Sequence, residues 1–341
     1  MTMKVLMMTQ VIDPQDGLLG FVPLWVRALA ARVEWLFVLA GRVVPCALPE
    51  NVEVSSLGKE TGTRRLGRLV RFYRGLKEAV DRHKVDVIFA HMNPEYVIAA
   101  APVTRVPCVL WYSHHTLTRR LRIAVRLSRL VVASAPEFFP MKTPKLRITG
   151  QGIDLARFAT APPPGRFNLL SVGRLAPVKN HDVIIEACAL LKNRFPDLHL
   201  TLAGEGPRRE ALERLAKERA VPLTLLGSVP FTEIPALCHA ADLFVSASET
   251  ALDKAILEAM ASGRPAVACA PAFAAWAPDL SFRQGDAAGL AEAVARVFSS
   301  DRAAAGLDAR NRVERDHSLP SMVNRLMGVF EEACRQQSPS R

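Results

Sequence analysis

Short apolar runs alternate with stretches of helical period along the whole chain. Residues 4–9, 35–40, 85–90, 106–112 and 131–134 are runs of apolar and β-branched residues between turn signals, and they read as buried parallel strands. Residues 52–57 read as another. Between them, residues 21–31 (FVPLWVRALAA) have helical spacing, with Pro23 tolerated in the first turn. Residues 59–84 and 119–130 read as basic amphipathic helices. The second half repeats the alternation, with strands at 169–172, 199–203, 223–227, 243–245 and 266–268. Helices are expected at 181–194, 207–219, 234–241, 253–262, 285–298 and 319–336. Strands alternating with helices throughout predict an α/β chain of two Rossmann-like domains. Residues 150–165 (GQGIDLARFATAPPPG) are incompatible with regular structure and read as the linker.

Composition narrows the class. The chain has 341 residues, half of them apolar, enough for two separate cores. No apolar run approaches the roughly 18–20 residues that span a bilayer. The opening MTMKVLMMTQVID reads as a first strand rather than a signal peptide. The six cysteines are scattered without CxxC pairing, which argues for reduced thiols, a cytoplasmic location and no Cys-bound metal. There is no Asp-x-Asp metal motif, no P-loop and no repeat of 20–50 residues. Residues 1–150 hold 22 of the 44 basic and 11 of the 33 acidic residues, so the whole net charge of +11 lies in the first half. Such asymmetry points to a polyanionic partner. An anionic membrane surface or a lipid-diphosphate acceptor is favoured over nucleic acid, and the Arg-rich helix region 59–84 suits a lipid interface. The bland alternative is a helix packed on the sheet with a solvated basic face.

The candidate chemistry lies in the second half. A strand at 169–172 leads to Gly173-Arg174-Leu175, with Lys179 before a helix. A glycine followed by two cations five residues apart suits diphosphate recognition from one side. Farther on, residues 243–268 (LFVSASETALDKAILEAMASGRPAVA) read as strand, turn, helix, turn, strand. Active-site residues of such a unit sit at the strand's carboxyl end, which carries Ser248, Glu249 and Thr250. Asp253 opens the helix, and Lys254 and Glu258 follow four residues apart, either a surface ion pair or part of a site.

Both stretches resemble retaining glycosyltransferase family 4, of the GT-B fold, which would set the two Rossmann-like domains facing across a cleft. Val172, Gly173, Arg174, Leu175 and Lys179 match the family's Val-Gly-Arg-Leu-x-x-x-Lys. Residues 258–267 fit the second half of its Glu-x7-Glu signature, whereas Thr250 stands where the first Glu is expected and Glu249 is one step out of register. The linker resembles the family's interdomain connection, with Gln151 at an Asn position. The resemblance implies domains at 1–152 (acceptor-binding), 153–318 (nucleotide-sugar-binding) and 319–341 (a helix crossing back). It implies a metal-independent, retaining hexosyl transfer from a UDP- or GDP-linked sugar, with no cofactor, to an acceptor hydroxyl. Arg174 and Lys179 would neutralise the leaving diphosphate, and Glu258 would hold the ribose. Glu249 or Thr250 would meet the sugar. Gly173, and Val229 in the Gly-Ser-Val turn beside the base, would line the donor pocket. The Asp253-Lys254 pair, expected at the donor, replaces the family's Gly-Leu and would mark a different donor preference, with Lys254 contacting phosphate or a carboxylated sugar. In the first domain the resemblance assigns Gly20 to close approach at the diphosphate. It assigns His114 to the donor sugar, with His115 second and His91 at a neighbouring strand end. The acceptor is expected to be a lipid-linked saccharide of cell-surface polysaccharide assembly at the inner membrane face. The alternatives are a non-catalytic nucleotide-sugar-binding subunit of a transferase complex and a GT-B epimerase, for which no convincing acid–base set is present.

Overall fold

The computed structural model describes residues 3–248 and 253–335. The chain divides into two compact units, one formed by Met1–Gly152 with Leu319–Arg341 and the other by Ile153–Ser318.

In the first unit, β1 (Lys4–Ile12), β2 (Trp35–Val43), β3 (Val52–Ser56), β4 (Val87–His91), β5 (Cys108–Trp111), β6 (Leu130–Ala133) and β7 (Leu146–Ile148) form a parallel sheet of order β3-β2-β1-β4-β5-β6-β7. The inner strands are apolar on both faces because helices cover both. Along β1, Val5 and Met7 point to the face packed by Trp25, Val26 and Leu29 of α1 (Val22–Ala30). Leu6 and Met8 point to the face covered by α2 (Arg65–Lys77), α3 (Pro94–Ala100) and α4 (Arg119–Leu127).

The second unit carries β8 (Asn168–Val172), β9 (His199–Ala203), β10 (Leu223–Gly227), β11 (Leu243–Ser246) and β12 (Ala266–Ala268) in the parallel order β10-β9-β8-β11-β12. Its core on one face takes Ile184, Ile185 and Leu191 of α5 (His181–Leu191), Leu212 of α6 (Arg209–Arg219) and residues of a helix at 287–298. That helix is α10 (Ala287–Phe298); the unit also carries α7 (Ile234–Ala240), α8 (Lys254–Ala261), α9 (Pro271–Trp276) and α11 (Arg302–His317). The Pro-rich 160–165 segment is coil, as expected. It is tied down by buried Asp242, whose carboxylate accepts from the backbone amides of Gly165, Arg166 and Asn168 at 2.8–3.0 Å. The last helix, α12 (Leu319–Arg335), belongs to the first unit, where Met322, Val323, Leu326 and Phe330 join the α1 core and Phe330 meets Phe89 edge-on.

Each sheet reverses its strand order once, between β1 and β4 and between β8 and β11. Ligands of doubly wound sheets bind outside the strands' carboxyl ends at such points.

Three expectations need correction. The helix expected over 59–84 is α2 alone, followed by a π-helical turn at Glu78–Arg82, because Gly58 and Gly62 take positive φ and turn the chain before Arg65. On α2 only Phe72, Gly75 and Leu76 are buried, whereas Leu66, Leu69, Val70 and Tyr73 are exposed. The helix expected to reach residue 130 stops at Leu127, and Leu130 opens β6. Strand β7 and helices α9 and α11 were not anticipated. Among the described residues no helix is long and apolar enough to cross a membrane.

Candidate functional site

The reversal point between β8 and β11 is where the second unit gathers its chemistry. Beyond β8 the chain turns through Gly173-Arg174-Leu175, and the loop after β9 packs directly on it. A Cβ at Gly204 would lie 2.0 Å from the Gly173 carbonyl oxygen, and one at Gly206 2.3 Å from that of Leu175. Two glycines therefore allow a backbone-to-backbone contact that no side chain would permit. The contact is fixed by Leu175 N donating to Glu205 O and Arg208 N to Leu175 O, at 2.9 and 3.1 Å. These glycines were not singled out from the sequence, although the GEGP tetrapeptide after an apolar run signals a sharp turn.

Arg174 is exposed on this turn and makes no ion pair with the described residues. Lys179 ends the one-turn Pro177–Lys179 helix, and the left-handed Asn180 then directs the chain into α5. Its ammonium lies 2.5 Å from the Asp253 carboxylate, with both side chains 20% exposed. Lys179, expected at the leaving diphosphate, thus meets Asp253, another donor-site candidate. His181 follows Lys179 and is buried; burial and then the Lys179 charge push its pKa down to about 4, with Asp182 opposing.

Lys254 and Glu258 are not a surface pair. Glu258 is 5% exposed, and the Lys254 Nζ is closed off from solvent. Burial pushes the Glu258 carboxyl up, against the pull of Lys254 and Arg157. It pushes the Lys254 ammonium down, against Glu258 and Asp154. Asp154 and Arg157 come from the segment that opens this unit, and Arg157 also stacks over Phe231 at 5.0 Å. Val229 is half-buried in the loop after β10. Glu249 and Thr250 lie outside the described residues.

In the first unit, Gly20 closes the loop after β1 by donating its amide to Asp16 O at 2.9 Å. Next to it Phe21, with Trp25 and Trp111, boxes in the His91 ring at centroid distances of 6.1, 5.3 and 5.3 Å. His91 Nδ1 shares a 3.0 Å hydrogen bond with Thr9 Oγ1, and the residue is 1% exposed. It is a packed core histidine. His114 is different: it is exposed, stacks on His115 at 4.4 Å, and accepts from Thr116 N through Nδ1 at 3.1 Å. Burial and then His115 lower its pKa, so its imidazole is held toward the neutral form.

One possible cation cluster exists among the described residues. Ligand atoms of Glu53, Glu78 and His83 lie within 4.8 Å of one another. Arg82 holds Glu78 at 3.0 Å and His83 Nε2 lies 3.3 Å from Glu53, so Glu78 already has a cationic partner.

Residues 166–300 match the family described as glycosyl transferases group 1. The chain is 32% identical over 212 residues to a glycogen synthase of Mycobacterium tuberculosis, covering 58% of this chain and 51% of that protein. It thus spans about half the length of that relative. Its fold matches sucrose-phosphate synthase from Thermosynechococcus elongatus with a TM-score of 0.79 at 17% identity, over 98% of this chain and 100% of the other. It also matches Anabaena Alr3699/HepE in complex with UDP, with a TM-score of 0.74 at 19% identity over 97% and 100%. The fold is GT-B, and the sequence similarity of residues 166–300 is to group 1 glycosyl transferases.

Proposed function

We propose that this protein moves a sugar from a nucleotide-diphosphate-sugar donor to an acceptor hydroxyl, with retention at the anomeric carbon and without a metal. The observation that supports the reading is that Lys179, on the loop after β8, meets Asp253 at the start of α8, the helix that carries buried Glu258, beside the point where the second sheet reverses its order. When the donor's bond breaks, negative charge builds on the departing diphosphate. Arg174 is exposed and would take phosphate oxygens bidentately, and Lys179 would add a point charge once it leaves Asp253. Glu258 accepts from the ribose hydroxyls. Glu249 and Thr250 remain candidates for the sugar hydroxyls, and His114 for the donor sugar from the first unit. The departing phosphate takes the acceptor's proton, so no protein nucleophile is needed. The UDP held by HepE makes uridine diphosphate the first leaving group to try, with GDP second.

For the acceptor we propose a lipid-linked saccharide of cell-surface polysaccharide assembly, met at the cytoplasmic face of a membrane. Helix α2 supports this, since Leu66, Leu69, Val70 and Tyr73 make an exposed stripe at i, i+3, i+4 and i+7 flanked by Arg65, Arg68 and Arg74. A second reading, a nucleotide-sugar-binding subunit without transfer, is favoured by Thr250 in place of the first Glu and by the Lys179–Asp253 pair. An assay that counts UDP released from UDP-sugars, with and without lipid-linked acceptor, separates the two. Transfer predicts acceptor-dependent release, an axial product linkage from an axial donor, and a loss of about 100-fold in kcat/KM for Arg174→Ala. Tight UDP binding without release under any acceptor would leave the binding subunit.

A further inference from the structure

The amino-terminal edge of the first sheet holds a separate hollow. It is built from the segments leading into β5, β6 and β7 and from the last turn of α4, and its volume is about 450 Å³. This is within the range of small-molecule sites. Five cations line it, Arg105, Arg126, Arg129, Lys145 and Arg147, and no Asp or Glu does.

Lys145 and Arg147 are already employed. Lys145 Nζ donates to the carbonyl oxygens of Val125, Arg126 and Ser128 at 2.8–3.0 Å, closing the carboxyl end of α4. Arg147 forks onto Glu332, from Nε at 3.0 Å and Nη2 at 2.5 Å. The guanidinium groups of Arg126 and Arg129 make no ion pair among the described residues. Burial and then the facing Arg129 lower the pKa of Lys145, so like charges confront each other across the hollow without an intervening acid. Asp86 lines an adjoining depression with Arg105 and Arg129, and its carboxylate accepts from the Lys4 amide at 2.8 Å.

Cations gathered round a concavity focus a positive potential. Planar guanidinium groups at its mouth match phosphate oxygens two at a time. A singly charged anion would leave the repulsion between Arg129, Arg126 and Lys145 largely in place, whereas a multiply charged one relieves it. We propose that this hollow binds a pyrophosphate or longer polyphosphate group, either free or carried on a lipid. Ile123 and Leu127, 45% and 41% exposed on the adjoining α4, would meet the chains of a lipid-borne ligand. The site lies at the opposite end of the strands from the loop at Gly20 and from His114, so it stands independently of the donor reading.

The test is calorimetric titration of the full chain with inorganic pyrophosphate and tripolyphosphate at low and at moderate salt. Binding is expected in wild type, stronger for tripolyphosphate and weakened by salt. It should persist in Arg174→Ala, which removes the second unit's diphosphate contact. It should fall at least about tenfold in Arg126→Gln/Arg129→Gln, with an unchanged melting temperature. Arg126→Glu, at an exposed position, serves if the double variant does not fold. Binding lost in Arg174→Ala but intact in the α4 variants, or no binding of either anion, overturns the proposal. Sedimentation with phosphatidylcholine vesicles doped with diacylglycerol pyrophosphate distinguishes the source. Loss of vesicle binding in the double variant, with competition by pyrophosphate, assigns a lipid-borne ligand. Vesicle binding that the variant leaves unchanged, while its pyrophosphate binding falls, assigns a free one.

Discussion

Asp253 and Lys254 change what the neighbouring residues can do. Lys179 meets Asp253, and Glu258 lies in the field of Lys254, so these two groups proposed for the donor have built-in counter-charges. A diphosphate must displace Asp253 from Lys179 and then sit beside a carboxylate. Asp253→Asn removes that competitor and should tighten binding of a nucleoside diphosphate about 5–10-fold in calorimetry; the gain is modest because a partly exposed pair contributes only about 1 kcal/mol. Weaker binding would show that Asp253 itself touches the donor. His181 yields a pH prediction. Its pKa is about 4 in the folded chain against an ordinary 6.5, so the unfolded chain takes up this proton first as pH falls. Its contribution is complete above pH 6.5 and is lost as pH drops toward 4, by about 2–4 kcal/mol in all. The urea midpoint should therefore fall less between pH 7 and 4.5 in His181→Gln than in wild type; equal losses would remove His181 from the account.

Helix α2 shows what an element's pattern can and cannot tell. Its apolar residues were visible in the sequence, but six large ones over residues 66–76 exceed what one packed face holds. The structure divides them, burying Phe72 and Leu76 and exposing Leu66, Leu69, Val70 and Tyr73. Replacing Leu66, Leu69 and Val70 by Ser should abolish flotation with anionic vesicles and leave the melting temperature within a few degrees. Undiminished flotation would move the lipid contact elsewhere. Elements with strong period were legible, as in β4, β5 and β8, because a strand buried on both faces must be apolar throughout. Helix α11 was not legible: Arg302–His317 is polar on most sides, and its clearest mark is the cap, where Asp301 accepts from the amides of Ala303 and Ala304 at 2.9 and 3.1 Å. The site divides in the same way. The Gly173–Lys179 spacing reveals its cations locally, whereas the meeting of Lys179 with Asp253, 74 residues on, depends on β8 and β11 being neighbours.

At the scale of the molecule, two doubly wound units of unequal charge divide the labour in this account, with nucleotide chemistry in the balanced second unit and polyanion contact in the basic first. The central claim is that the second unit binds a nucleotide sugar through Arg174. The most direct measurement is the melting temperature of the full chain against UDP-, GDP-, ADP- and CMP-sugars, for wild type, Arg174→Ala and Glu258→Gln. A ligand that binds only the native state stabilises it by mass action, about 2.7 kcal/mol at one hundred times Kd. The account predicts a rise of several degrees for a UDP- or GDP-sugar, absent from both variants. A rise that survives Arg174→Ala, or none for any donor, would contradict it.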